Sequence, residues 1–194
     1  MNTMTIARSE LILGGQRSGK SRRAELLARE WLAQSTTHRA ALIATAQPWD
    51  DEMRQRIARH QSDRAERVPG MATVEEPLAL AEAIQTHSRA DRLVVVDCLT
   101  LWLTNLLMPI NSEGKVPEMP VDIAQAASLL IAIAKAPGPV VLVGNEIGLG
   151  VIPMGREVRA FVDALGHLNQ RVAATCQRVT LMAAGLPLTL KDSA

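Results

Sequence analysis

Aromatic side chains are scarce in this 194-residue chain, which has one Phe, three Trp and no Tyr. Aliphatic side chains and Ala must therefore fill its core. An excess of charge of either sign is also missing: 21 Lys+Arg face 20 Asp+Glu, for a net charge of +1. That balance gives no general electrostatic case for nucleic-acid or membrane-surface binding. Cysteine is limited to Cys98 and Cys176, both in segments that read as buried and neither in a C-x-x-C or zinc spacing. Inert core thiols in a reducing compartment are expected. No apolar run reaches the ~18 residues of a membrane span, and Met1 to Arg8 lacks the apolar centre of a signal peptide. A cytoplasmic protein is expected. Repeats, low-complexity tracts and a convincing domain boundary are absent too, so residues 1–194 read as one domain, long enough to bury a substantial core.

What is present begins at Leu11-Ile12-Leu13-Gly14-Gly15-Gln16-Arg17-Ser18-Gly19-Lys20-Ser21. This is G-x-x-x-x-G-K-[ST], entered from an apolar run and followed by a helix-like segment, the form of a phosphate-binding loop. Gly14 and Gly19 free the backbone to turn N–H groups toward phosphate oxygens. Lys20 is long enough to reach the β- and γ-phosphates, and the Ser21 hydroxyl suits Mg²⁺. The helix opening at Ser21 adds the positive end of its dipole.

Strands then alternate with helices. Arg22 to Ala33 has a helical apolar stripe, and Ala40 to Thr45 reads as a buried strand stopped at Pro48. A helix is expected from Asp50, with Met53, Ile57 and His60 on one face, and the polar stretch Gln61 to Ala72 reads as a loop. Thr73-Val74-Glu75 reads as a short strand, and Pro77 as the first turn of a helix reaching about Thr86. Leu93 to Asp97 reads as a parallel-type strand, Leu99 to Met108 as a buried helix, and Pro109 to Pro120 as an exposed excursion or lid. The helix Val121 to Lys135, the strand Val140 to Val143, the helix Arg156 to Cys176 and a terminal strand pair, Val179 to Met182 with Leu188 to Leu190, complete the order. The fold class is α/β: a mostly parallel P-loop NTPase sheet with helices on both faces and a short antiparallel C-terminal edge.

Asp97 ends four apolar β-type residues, as a Walker-B carboxylate does. It could hold Mg²⁺ or its water shell, orient a substrate hydroxyl as the kinase base, or simply cap the next helix. In a parallel sheet it should lie next to the phosphate loop. His60 reads either as a packed or surface histidine or as a nucleophile toward phosphorus, with Arg56, Arg59 and Arg64 available to hold an anion. Asn145-Glu146 with Gly148 and Gly150 ends another strand, so it is either a turn or a part of the same crevice. Asp50 to Glu52 read as helix-start residues.

Taken together, these pieces resemble the bifunctional adenosylcobinamide kinase / adenosylcobinamide-phosphate guanylyltransferase family of cobalamin biosynthesis. The resemblance rests on Gly14 to Ser21, Ile43 to Ala46, Asp51 to Met53, Arg56 to His60, Thr73 to Pro77, Val96 to Leu107, Asn145 to Pro153, and Gly166 with Asn169-Gln170-Arg171. These pieces stand in family order over nearly the whole chain. The segment Ala65 to Ala72 departs from the family pattern, which carries a Trp before the Thr-Val-Glu piece. The resemblance implies a RecA-like sheet, a homotrimer and two reactions. In one, ATP or GTP with Mg²⁺ phosphorylates the aminopropanol hydroxyl of adenosylcobinamide. In the other, GTP guanylylates His60, and the GMP passes to adenosylcobinamide phosphate. It also implies nucleotide contacts at Gly14, Gly15, Gln16, Arg17, Ser18, Gly19, Lys20, Ser21, Ala44, Thr45, Ala46, Gln61, Ser62, Asp63, Arg64, Glu75 and Asp97. The expected catalytic set is His60, Lys20 and Asp97, with Ser21 and Asp97 as the expected metal ligands. A simple kinase without guanylyl transfer, and a nucleotide switch, are the competing readings. The switch is weakened by the lack of an N-K-x-D motif.

Overall fold

The computed structural model describes residues 4–48, 50–108, 121–151 and 153–193. Its elements run β1 (Ser9–Gly14), α1 (Lys20–Gln34), β2 (Arg39–Ala44), α2 (Asp51–Arg67), β3 (Ala72–Glu75), α3 (Leu80–His87), β4 (Arg92–Asp97), α4 (Leu99–Leu107), α5 (Val121–Lys135), β5 (Val140–Val143), α6 (Arg156–Thr175), β6 (Arg178–Ala183) and β7 (Leu186–Asp192). The seven strands form one sheet in the order β3-β2-β4-β5-β1-β6-β7, parallel except for β7 against β6. This is the expected arrangement, with the antiparallel pair at the C-terminal edge.

Central strands buried on both faces need apolar residues throughout, as in Leu93-Val94-Val95-Val96 and Val140-Val141-Leu142-Val143. Successive side chains then feed two cores. Leu11, Leu13, Ile43, Val94, Val96 and Leu142 meet α3, α4, α5 and α6. Ile12, Leu42, Val95, Val141 and Val143 meet α1 and Val68. Each fully buried Leu or Ile contributes roughly 1.5–3 kcal/mol, and with few aromatics the cores are built mainly from such residues. Trp102 is the exception: it is fully buried, and its indole Nε1–H donates to Leu78 O at 2.9 Å.

Three local expectations need correction. The stretch Gln61 to Arg67 is helical, so α2 runs on to Arg67 and ends before Pro69-Gly70. Polarity there marks a solvated helix face, supported by the i,i+4 pair Asp63–Arg67 at 3.1 Å. Pro77 precedes α3 and lies outside its first turn. The helix starts at Leu80, and Glu76 Oε1 accepts from Leu78 N and Ala79 N at 3.0 and 2.8 Å. Asp97 is not on the strand beside the phosphate loop, because β5 lies between β1 and β4. The lid expected over Pro109 to Pro120 lies outside the described residues.

Candidate active site

All the parallel strands end at one edge of the sheet, and their register lines up the expected residues there. Glu75 pairs with Ala44, Ala44 with Asp97, and Asp97 with Val143. The next strand is β1, which ends at Gly14. Two bonds carry the ladder past the strand ends: Gly144 N donates to Ile12 O at 3.0 Å and Glu146 N to Gly14 O at 3.2 Å.

The loop after β1 is shaped by close backbone approaches. Gly14 has φ +151°, and a Cβ there would lie 2.5 Å from Met182 O and 2.6 Å from Ser18 Oγ. Gly19 has φ +99° and faces Gly185 Cα, 3.3 Å from where its Cβ would stand. Gly185 N in turn donates to Ser18 O at 3.0 Å. The β6–β7 turn therefore buttresses the phosphate loop from behind. In the sequence Gly185 reads only as a turn residue. Gly15, Gln16 and Arg17 are exposed, and Ser18 and Lys20 are buried. Lys20 Nζ donates to Gly15 O at 2.6 Å.

Asp97 directly precedes the buried Cys98 thiol, and the Lys20 charge is also felt there. Burial and the adjoining Asp97 charge together push that thiol up to about 11, against the opposing Lys20 charge. A carboxylate from β4 and an ammonium from α1 thus sit close enough to act on one side chain. Asp97 does not cap the next helix: α4 has Cys98 as its N-cap residue and no side-chain cap. The Ser21 hydroxyl and the Asp97 carboxylate are hard oxygen donors, a set that suits Mg²⁺ held jointly with water and substrate phosphates. Among the described residues no cluster of three His, Cys, Asp or Glu forms a metal cage of its own.

Ala44 and Ala46 are half-buried beside this point, but Thr45 faces inward. Its Oγ1 donates to Cys98 O at 2.8 Å and accepts from Cys98 N at 2.9 Å. Thr45 N donates to Asp97 O, and Thr45 O accepts from Asn105 Nδ2 at 2.8 Å. The Thr45 side chain therefore braces the Asp97–Cys98 segment, and the alanines on either side stay partly exposed. Asn105 also donates to Pro77 O at 3.1 Å, tying α4 to the segment after Glu75. Spacing offered no signal for either role, since both depend on partners 28 to 60 residues away.

His60 stands exposed on α2. Its neighbour Gln61 donates from Nε2 to Glu75 Oε1 at 3.5 Å, which sets this turn beside the β3 end of the row. Ser62 is exposed, Asp63 pairs with Arg67, and Arg64 is buried, donating to Thr73 Oγ1 at 3.4 Å. Arg59 is exposed next to His60, where its guanidinium can meet an anion. The Asn145–Glu146 turn is held by Thr100 Oγ1, which accepts from Asn145 N at 2.9 Å. Asn169 Nδ2 donates to Asn145 O at 3.1 Å and to Glu146 Oε2 at 3.4 Å.

Comparison with known proteins bears on the same residues. The family described as cobinamide kinase / cobinamide phosphate guanyltransferase matches residues 10–190. The bifunctional adenosylcobalamin biosynthesis protein CobP of Pseudomonas aeruginosa is 46% identical over 185 residues, covering 94% of this chain and 96% of that protein. The bifunctional adenosylcobalamin biosynthesis protein CobU of Escherichia coli is 35% identical over 187 residues, covering 93% and 98%. Among solved structures, the flagellar accessory protein FlaH of Methanocaldococcus jannaschii aligns with a TM-score of 0.53 at 13% identity, covering 97% of this chain and 80% of that one. A second solved structure, of an ATPase domain, aligns with a TM-score of 0.55 at 10% identity, covering 96% and 78%. These two similarities concern the fold alone.

Proposed function

The chain belongs to the cobinamide kinase / cobinamide phosphate guanyltransferase family and is a bifunctional enzyme of that family; from this premise we propose how its residues divide two reactions. In the first, the aminopropanol hydroxyl of adenosylcobinamide attacks the γ-phosphorus of ATP or GTP, and the nucleoside diphosphate leaves. In the second, an imidazole nitrogen of His60 attacks the α-phosphorus of GTP and pyrophosphate leaves. A phosphate oxygen of adenosylcobinamide phosphate then displaces His60, giving the GDP-linked product. Splitting the transfer gives each displacement a good leaving group.

The observation that carries this reading is the row of strand ends that aligns Glu75, Ala44 and Asp97 on the edge from which the phosphate loop leaves β1. The loop N–H groups from Gly14 to Ser21 cradle the phosphates and Lys20 draws charge from the transferring group. Ser21 and Asp97 would hold Mg²⁺, which would supply charge neutralisation to the transferring phosphates. Ala44, Ala46, Gln61, Ser62 and Glu75 line the nucleoside side, with Thr45, Asp63 and Arg64 fixing their backbone. Since α2 is polar and exposed, it can swing His60 toward the α-phosphorus when GTP is bound.

The same reading makes 1–194 one nucleotide-binding domain of a cytoplasmic homotrimer. No described helix is long and apolar enough to cross a membrane, and both cysteines are free thiols. Leu149, Val151 and Met154, up to 97% exposed, and Leu186, Leu188 and Leu190 on β7 are the apolar side chains a partner copy would cover. Light scattering should give three times the chain mass, and a monomer mass would count against the trimer.

A kinase without guanylyl transfer is the second reading, and the exposure of His60 is what favours it. Incubation with α-labelled GTP and Mg²⁺, without acceptor, separates the two. The wild type should carry an acid-labile, alkali-stable label and His60→Ala none. An unlabelled wild type would leave only the kinase.

A further inference from the structure

A cavity of about 320 Å³ between α6 and strands β1, β6 and β7 has no occupant in the two reactions above. One face of α6 lines it, through Gly166, Asn169, Gln170 and Ala173, a spacing of 3, 1 and 3 that stacks them along one side of a helix. α6 packs Leu165, Leu168 and Val172 into the core, as a helix facing a sheet ordinarily does. The stripe beside them is small or polar instead. Gly166 sits in the middle of α6, where glycine weakens a helix, and a Cβ there would meet nothing within 4 Å. Asn169 is 4% exposed, and both of its described bonds come from Nδ2. Its Oδ1 is buried without a hydrogen-bond partner. A buried acceptor is ordinarily satisfied, so this one asks for a donor from elsewhere.

The cavity also adjoins the phosphate loop. Leu13 lines it and is followed directly by Gly14. Glu146 lines it and donates its backbone N–H to Gly14 O at 3.2 Å. The Glu146 carboxylate is aimed by two donors, Gly148 N at 3.2 Å and Asn169 Nδ2 at 3.4 Å. Leu13, Ala173, Val179 and Leu190 give much of the lining an aliphatic character, and Lys191 adds an ammonium held by the carbonyls of Ala173, Ala174 and Cys176. At about 30 Å³ per water-sized group, the space holds roughly ten heavy atoms. That suits a short chain and is too small for a macrocycle.

We propose that this cavity is the acceptor subsite: it takes an aliphatic arm bearing an amide and a hydroxyl, with the N–H on Asn169 Oδ1 and the hydroxyl on Glu146, which serves as the base of the kinase step. The proposal deepens the functional reading above and rests on it. The hydroxyl oxygen bonds to the γ-phosphorus while the bond from that phosphorus to the bridging oxygen breaks. The diphosphate keeps that electron pair, and the proton passes to Glu146. Asp97, the candidate base from sequence, is left to the nucleotide and its metal.

Gly166→Leu tests the pocket, because it fills the cavity while improving helix propensity. Its dissociation constant for cobinamide, followed by visible absorbance in equilibrium dialysis, should rise at least tenfold with no fall in Tm. Ala173→Met narrows the same space and repeats the test should Gly166→Leu fold poorly. Glu146→Gln should lower kinase kcat about 100-fold or more, a loss far larger than any in α-labelled GTP incorporation. Wild-type cobinamide affinity in both cavity variants, or a Glu146→Gln kcat within threefold of wild type, overturns the subsite while the functional reading stands. A changed assembly mass with unchanged affinity makes the cavity an interface between copies and also overturns it. A wild type that neither binds nor phosphorylates cobinamide overturns both.

Discussion

The phosphate loop and the His60 helix are built on opposite principles. Every residue of β1 is buried, and the loop that follows is pressed from behind by Met182 and Gly185. In α2, by contrast, most side chains face solvent. Its anchors to the rest of the fold lie toward its C-terminal end: Arg64 to Thr73, Arg67 to Glu25 at 3.0 Å, and buried Val68 just past its end. The first region is pre-organised, because donors that must meet developing charge work best when they need not move. The second is lightly held, as a nucleophile that serves one of two reactions on a shared loop needs to be.

The largest expected effect tests the shared half. Lys20→Ala removes the ammonium that draws charge from either phosphorus, so both kinase turnover and GMP labelling should fall by about 10²–10³-fold. A drop in one rate alone would mean that the loop is not common to both. Next comes the loop's packing. Gly14→Ala places a methyl 2.5 Å from a backbone oxygen and should cost about 1–3 kcal/mol, read as a lower denaturation midpoint. Gly15→Ala, with nothing within 4 Å of the new Cβ, should leave the midpoint near wild type. Equal midpoints would show that the loop is not sealed from behind.

A smaller effect sharpens the other side of the comparison. Arg67 is half exposed and pairs with Glu25 and Asp63, both of which raise its pKa. Arg67→Ala strips the buried Glu25 carboxylate of this partner, so the denaturation midpoint should fall, and the labelling rate should change severalfold while kinase turnover stays closer to wild type. Equal changes in both rates would make α2 a structural helix only. The smallest effect concerns the core thiols. Burial pushes Cys98 up to about 11 and Cys176 up to about 12 from an ordinary 9.0. Below pH 9 both states keep these protons, so the thiols add no pH dependence. As pH rises from 9 toward 11 or 12, only the unfolded chain releases them, and stability should fall. Thiol titration at pH 8 should find both cysteines unreactive until the protein unfolds.

Much of this was legible from local pattern. Helix and strand positions followed from apolar periodicity, because a buried strand and an amphipathic helix each leave their own spacing in the chain. The reading failed where polarity stood in for disorder. Gln61 to Arg67 looked like a loop because a solvated helix near a turn has no apolar stripe to show. It also failed where position depends on strand order, which placed β5 between the phosphate loop and Asp97.

Sequence alone determined the phosphate loop, the carboxylate ending β4, and the histidine two turns and more into a helix. These are short-range features whose glycine dihedrals, apolar runs and caps act within a few residues. Only the tertiary structure decided that Gly185 braces Ser18, that Thr45 is turned inward onto Cys98, that Glu75, Ala44 and Asp97 line up across three strand ends, and that α6 leaves a space beside Glu146. Each of these joins residues distant in the chain, and such contacts exist only once the sheet has set which strand ends lie side by side.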